Sequence, residues 1–200
     1  MDLLERVPNP NFTEEHLAFR DTMRKFVETE IEPFAAEWDE AEGFPRELYR
    51  KAAEIGLLAM GYPEEYGGLE TDIFYLLIGA EEMARSGAGG VSASLLSHTI
   101  GAPPIKNVGN HAQKEKYLPK ILSGELISAL AITEPSGGSD VANLKTTARR
   151  EGDHYIVNGS KTFITSGMRA DFYTVAVRTG EPGMNGISLL LIDRDTPGFD

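Results

Sequence analysis

Residues 130–140 read Leu-Ala-Ile-Thr-Glu-Pro-Ser-Gly-Gly-Ser-Asp. The stretch begins as a short apolar strand, turns at its proline and then runs into the adjacent glycines Gly137 and Gly138. Because glycine has no side chain, the backbone can approach a ligand closely there, and successive N–H groups of such a turn can bind an anion. Thr133 and Ser139 add hydroxyl groups. The stretch therefore predicts a loop that holds the phosphate-bearing part of a cofactor.

The residues before this stretch predict helices. Thr13 and Asp72 are predicted N-caps, since each precedes a segment with apolar residues at helical spacing. The apolar residues after Asp72 predict the buried face of one helix; they are Ile73, Leu76, Leu77, Ala80, Met83 and Ala84. A further helix of small residues is expected from Val91 to Ile100. Several helices joined by short connections predict an all-α bundle.

The residues after it predict strands. Apolar or alternating runs at 127–133, 144–150, 154–157, 160–165, 172–177 and 187–192 are separated by glycine-rich turns. Asn158-Gly159 is a strong hairpin signal and predicts that 160–165 returns as a strand. The predicted fold class is therefore α+β with two domains, a helical bundle at 1–126 and an antiparallel sheet or barrel at 127–200. We expect the sheet to be incomplete, with at least one open edge.

Composition excludes several classes of function. The chain of 200 residues has no cysteine, which rules out disulfide scaffolds and cysteine nucleophiles. Its net charge of -12 argues against nucleic-acid binding. No apolar run reaches the ~20 residues of a membrane helix, and the acidic N-terminus is not a secretory signal, so we expect a cytoplasmic protein. The four histidines lack metal-ligand spacing, and no nucleophile motif is present, so we expect no metal site.

A second segment, 161–167, carries a pattern that matches the first. In an extended chain Phe163 and Thr165 share one face and offer an aromatic plane and a hydroxyl. A planar, polar cofactor with a phosphate tail would use both segments, because an aromatic ring packs on a flat ring system and a hydroxyl can bond its heteroatoms. From the residues alone, the alternative is a strand face that packs on the helical bundle.

The two segments together resemble the acyl-CoA dehydrogenase family. The resemblance rests on Thr133–Asp140 followed by Asn158–Gly167, and it extends to Pro63–Gly68 and Gln113–Lys120, so that it covers nearly the whole chain. It implies a helical N-terminal domain, a β domain that carries FAD, and a C-terminal helical domain that is absent from these residues. The likeness also implies an acyl-CoA substrate, an electron-transferring flavoprotein as electron acceptor, and a homo-oligomer, dimer or tetramer, at full length.

The resemblance also implies site residues. Leu130, Ile132 and Thr133 would contact the flavin, and Gly138 and Ser139 its ribityl-phosphate part. The second segment would contribute Phe163, which covers one flavin face where many members have tryptophan, together with Ile164 and Thr165, the latter near flavin N5. The acyl-CoA would be contacted by Ser139, Ser92 and Ile100.

The implied reaction is α,β-dehydrogenation of an acyl-CoA thioester. A carboxylate removes the α-proton while the β-hydrogen leaves as hydride to flavin N5. In the family the base lies in the C-terminal domain, so Glu134 is not assigned this role, no catalytic residue is expected in this chain, and the 200 residues alone are expected to be inactive. The alternatives are an acyl-CoA oxidase or flavin monooxygenase of the same superfamily, and a non-catalytic, truncated interaction module.

Overall fold

The structure, a computed structural model, describes residues 9–200. Within that range the chain forms eight α-helices followed by five strands, which confirms the predicted order of a helical region and then a sheet. The helices are α1 (Glu14–Glu30), α2 (Ala35–Glu40), α3 (Glu47–Glu54), α4 (Ile73–Arg85), α5 (Gly89–Leu95), α6 (His98–Gly101), α7 (Pro103–Val108) and α8 (His111–Leu122). The strands are β1 (Ser128–Ala131), β2 (Thr147–Glu151), β3 (His154–Asn158), β4 (Phe172–Arg178) and β5 (Ile187–Asp193). None of the described helices is both long enough and apolar enough to cross a membrane.

The chain divides into two compact units. The first contains the residues up to Leu95 together with Leu122–Gly124, and the second contains Leu96–Ile121 together with Glu125–Asp200. The domain boundary at residue 126 stays a prediction, and each unit is described here by itself.

In the first unit the predicted N-caps of α1 and α4 are confirmed. The Thr13 hydroxyl accepts a hydrogen bond from the His16 backbone N–H at 3.3 Å, and the Asp72 carboxylate accepts one from the Phe74 N–H at 2.9 Å. The buried His16 imidazole joins the two caps: its Nδ1 accepts the Thr13 N–H at 3.0 Å and its Nε2 lies 3.1 Å from Asp72. The starts of both helices are thereby fixed to each other.

The predicted buried face of α4 is largely wrong. Ile73 is 67% exposed, Leu76 and Leu77 are also exposed, and of the predicted set only Met83 is buried. The residues of α4 that are buried are Ile78, Gly79, Glu82 and Met83. The carboxylate of Glu82 is thus buried, while the leucines that the apolar pattern predicts to be buried are exposed.

Arginines explain why Glu82 is buried. Its side chain is 2% exposed, and Arg24 of α1 binds it through two guanidinium nitrogens, at 3.0 and 3.1 Å. Arg85 Nε and Arg20 Nε lie 3.4 and 3.5 Å from the same carboxylate. A buried charge is tolerated only when it is paired. Glu82 therefore lies on the face of α4 that contacts α1, and most of the predicted apolar stripe lies on an exposed face of α4.

The sheet of the second unit is mixed, so the prediction of a purely antiparallel sheet is wrong in strand direction. β4 lies in the middle and pairs antiparallel with β5 on one edge and parallel with β1 on the other. β2 and β3 form an antiparallel hairpin, and β2 meets β4 in parallel at Thr147 and Arg178. The sheet is not closed. β1 and β4 can pair in parallel because the connection between them is long: it contains the β2–β3 hairpin.

The predicted return strand at 160–165 is also wrong. The hairpin turns earlier, at Gly152, which has φ +64°, and β3 is followed by irregular chain. Phe163 has φ +56° and Ser166 has φ +62°, and such left-handed conformations interrupt an extended strand. The segment is held by hydrogen bonds to the end of β1, as described below.

Two hydroxyl groups dock α6 on the sheet. Ser97 Oγ donates to the Ser128 carbonyl at 2.9 Å, and Thr174 Oγ1 donates to the Gly101 carbonyl at 2.7 Å. A Cβ at Gly101 would lie 2.9 Å from Ser128 Oγ, so this close approach requires glycine. The single helix expected from Val91 to Ile100 is therefore two helices, α5 and α6, and α6 fixes the strand that leads into residues 130–140.

Glu82→Gln tests the buried carboxylate of the first unit. We expect a loss of about 3 kcal/mol in the free energy of unfolding, because the change removes the buried negative charge that Arg24 binds through two nitrogens. Urea unfolding would measure it. Glu47→Gln is the matched control, since Glu47 pairs with Arg50 at the surface, and we expect that change to cost less than about 1 kcal/mol. Equal effects of the two substitutions would contradict the assignment.

Candidate functional site

The loop after β1 is a tight turn. Glu134 and Gly137 exchange backbone hydrogen bonds in both directions, each at 3.0 Å, so that the two intervening residues form the tip. Gly138 then packs back on Thr133: a Cβ at Gly138 would lie 3.2 Å from Thr133 Cγ2 and 3.3 Å from its hydroxyl. Ser139 follows and is exposed. The glycine is needed here for the close approach of Thr133 within the loop.

The segment after β3 lies beside this loop. The Thr162 backbone N–H donates to the Thr133 carbonyl at 2.9 Å, and Lys161 Nζ donates to the Ile132 carbonyl at 2.9 Å. The two segments that sequence reasoning assigned to one cofactor are therefore joined by direct hydrogen bonds.

Phe163 combines an exposed side chain with a strained backbone conformation. Its side chain is 93% exposed, and its positive φ costs a non-glycine residue roughly 1–2 kcal/mol. Thr165, two residues further on, is exposed as well. Strain of this kind persists only where the surrounding structure enforces it, and it is concentrated at ligand sites. An exposed aromatic ring and a nearby hydroxyl on such a segment suit contact with a planar ligand.

Glu134 is the buried charge at the centre of the site. It is 5% exposed, and its carboxylate accepts hydrogen bonds from the backbone N–H groups of Lys145 (2.6 Å) and Thr146 (2.8 Å) and from Lys161 Nζ (2.9 Å). Burial raises the pKa of Glu134, but the hydrogen bonds from Thr146, Lys145 and Lys161 outweigh it and hold the pKa at about 2. Because so weak a base does not accept a proton near neutral pH, Glu134 is unsuited to the role of general base.

The remaining predicted site residues lie as follows. Leu130 is half-buried in β1, and Ile164 is half-buried and accepts the Gly167 N–H at 2.8 Å. Ser92 belongs to the first unit, on α5, where its hydroxyl lies 3.4 Å from the Met83 carbonyl. Ile100, on α6 and 47% exposed, belongs to the second unit with Ser139. Their roles toward cofactor and substrate stay predictions.

Sequence reasoning missed Lys161 and gave Glu134 no positive role. The signal that was available is their placement: Glu134 directly follows Thr133, and Lys161 lies two positions before Phe163. Opposite charges adjacent to two segments that are expected to converge predict an ion pair between them. Within the described residues, no group of acidic residues or histidines is placed to hold a metal ion.

Two family models match the chain. The model described as "Acyl-CoA dehydrogenase, N-terminal domain" matches residues 13–125, and the one described as "Acyl-CoA dehydrogenase, middle domain" matches residues 129–200. Together they cover both the helical region and the sheet.

Similar proteins carry the same family name. An acyl-CoA dehydrogenase of Bacillus subtilis is 40% identical over 189 residues, which are 94% of this chain and 50% of the relative. The structure of acyl-CoA dehydrogenase from Geobacillus kaustophilus has a TM-score of 0.89 and 43% identity over 96% of this chain and 51% of that one. For acyl-CoA dehydrogenase complexed with FAD from Bacillus anthracis the TM-score is 0.82, with 33% identity over 99% of this chain and 34% of that one. The chain spans about half the length of the curated relative from Bacillus subtilis.

The lowered pKa of Glu134 predicts a loss of stability in acid. The folded pKa is about 2, below the value of about 4.3 in an unfolded chain. The carboxylate therefore contributes about 3 kcal/mol above pH ~4.3, and this contribution is lost as the pH falls toward 2. Urea unfolding from pH 7 to pH 2 should show a gap between wild type and Glu134→Gln that closes in this window.

The control for this experiment is Glu125→Gln. Glu125 and Lys120 form an exposed ion pair, so we expect a gap from wild type of less than about 1 kcal/mol at every pH. A pH-independent gap for Glu134→Gln would contradict a carboxylate held ionised by its hydrogen bonds.

Proposed function

The chain belongs to the acyl-CoA dehydrogenase family, and from this premise we propose that it forms the flavin-binding part of an enzyme that oxidises acyl-CoA thioesters. One observation carries the proposal: the loop after β1 is hydrogen-bonded to the segment after β3, and that segment exposes Phe163. An exposed aromatic plane beside an open glycine loop suits a ligand that is flat at one end and phosphorylated at the other.

The residues present fit FAD. Phe163 offers its ring to one face of the flavin, and Thr133 and Thr165 offer hydroxyls to the ring's polar atoms. We assign Gly138 and Ser139 to the ribityl-phosphate part: Ser139 is exposed, and a Cβ at the neighbouring Gly137 would meet no atom within 4 Å. Leu130, Ile132 and Ile164 supply apolar contacts around the ring. FAD supplies the redox chemistry as the acceptor of a hydride, while the chain binds and orients it.

The proposed substrate class is an acyl-CoA thioester. The family name supports it, as do the exposed positions of Ser139 and Ile100 in the second unit. We assign Ser139, Ser92 and Ile100 to contact with the acyl-CoA. The electrons then pass to an electron-transferring flavoprotein. The complete protein is proposed to be a homo-oligomer in the cytoplasm.

The catalytic base is proposed to lie outside these residues. Glu134 directly follows Thr133, and its pKa of about 2 leaves it a poor acceptor for an α-proton. The 200 residues would therefore bind cofactor without turning over substrate.

FAD binding is tested first. We expect the purified chain to bind FAD and quench its fluorescence, and Phe163→Ala to raise the dissociation constant about fivefold, because a lost ring contact is worth roughly 1 kcal/mol. Tyr155→Ala is the control, since Tyr155 is an exposed aromatic residue on β3, and we expect it to bind like wild type. A chain that ignores FAD contradicts the proposal.

Acyl-CoA is then added to the FAD-loaded chain without oxygen. We expect the absorbance of oxidised flavin to persist, because no base removes the α-proton. Bleaching would show that these residues do contain a base and would overturn that part of the proposal. If the bleached flavin then reacts rapidly with oxygen to release hydrogen peroxide, an acyl-CoA oxidase replaces the dehydrogenase.

A further inference from the structure

The ion pair of Glu134 and Lys161 links the two segments proposed to hold the flavin. The carboxylate and the ammonium lie 2.9 Å apart, and both side chains are almost completely buried. Glu134 belongs to the turn after β1, and Lys161 belongs to the segment that exposes Phe163.

The ammonium is shared between two acceptors on one loop. Lys161 Nζ donates to the Glu134 carboxylate and also to the Ile132 carbonyl, each at 2.9 Å. The residue between those acceptors is Thr133, whose own carbonyl accepts the Thr162 N–H at 2.9 Å. Three consecutive residues of the first segment are thus held by two consecutive residues of the second. No regular strand pairing joins 161–165 to β1, so these hydrogen bonds fix the separation of the segments.

The charges of the pair cancel. A buried ion pair contributes little net stability, because the cost of desolvating both charges offsets their attraction, whereas removal of one partner leaves an uncompensated charge. Glu134 would stay ionised without Lys161, since the backbone N–H groups of Lys145 and Thr146 continue to donate to it. Either single substitution would therefore leave one unbalanced charge beside Thr133.

We propose that Glu134 and Lys161 are positioning residues that set the spacing of the two flavin-binding segments and keep the protein locally neutral beside the flavin ring. The inference rests on the proposed function in that it takes the flavin to lie against Thr133 and Phe163. Reduction adds negative charge to the flavin. An unpaired Lys161 ammonium would favour the reduced form, and an unpaired Glu134 carboxylate would oppose it.

The first arm of the test needs no flavin. Hydrogen exchange of the Thr162 amide, which donates to Thr133, reports the contact between the segments. We expect this amide to exchange at least about tenfold faster in Lys161→Met and Glu134→Gln than in wild type. Lys51→Met makes the same change at an exposed ion pair with Glu30, and we expect it to leave Thr162 unchanged. Unchanged exchange in both site variants overturns the positioning role.

The second arm measures the reduction potential of the FAD-loaded chain by equilibration with a redox dye. We expect Glu134→Gln to raise the potential, Lys161→Met to lower it, and the double variant to return toward wild type. A purely structural role would shift both single variants in the same direction, and that result overturns the charge-balancing role. Lys161→Arg keeps the charge and donor groups, so we expect it to retain wild-type exchange and potential.

The outcomes separate the inference from the proposed function. If wild type binds no FAD, the proposed function fails, and the exchange of the Thr162 amide still decides whether the pair positions the segments. If Lys161→Met does not fold, Glu134→Gln and Lys161→Arg decide the question: slow Thr162 exchange in the former, or fast exchange in the latter, overturns the positioning role.

Discussion

The carboxylate of Glu134 is a buried charge whose donors come from two separate stretches of the second unit. Backbone N–H groups of Lys145 and Thr146 approach it from the chain before β2, and the ammonium of Lys161 approaches from the chain after β3. Loss of any one donor would leave the charge under-solvated in a medium that stabilises ions poorly. The chain between β1 and β2 and the chain at 159–165 therefore keep one arrangement even though little of either is regular secondary structure.

The same constraint organises the first unit. There Glu82 is buried against Arg24, and this pairing sets the rotation of α4 about its own axis. In each unit a single carboxylate decides an arrangement that apolar contacts leave undetermined, because leucine and methionine tolerate several packings while a buried charge tolerates few. The two cases differ in their surroundings. Glu82 joins regular helices, whereas Glu134 joins loops whose exposed residues are free to contact a ligand.

Local chemistry explains which parts of the fold could be predicted. The caps at Thr13 and Asp72 depend on residues within three or four positions, and both agree with the sequence prediction. The face of α4 and the direction of β1 relative to β4 depend on partners far along the chain. The apolar periodicity of a helix shows which of its residues are apolar. It does not reveal that an arginine on another helix forms an ion pair with one of its glutamates.

The candidate site follows the same division. Residue type alone is enough to single out part of the candidate site, because a glycine loop, an aromatic ring and a hydroxyl group can be recognised in the sequence. The residues found in this way are Gly138, Ser139, Phe163 and Thr165. The link made by Lys161 is harder to predict, since it joins residues 27 positions apart in the chain, and only the expected convergence of the two segments points to it.

The β-branched and aromatic residues of 160–165 favour a strand, and Phe163 departs from that local preference with φ +56°. Natural sequences agree with their structures at most positions, and the exceptions are concentrated at functional or strained sites. At Phe163 a tertiary constraint overrides the local preference and also exposes a large aromatic ring. Burial of the side chain usually compensates such backbone strain. The Phe163 ring is not buried by any of the described residues. The strained and exposed position of Phe163 therefore indicates that this segment is shaped for a ligand.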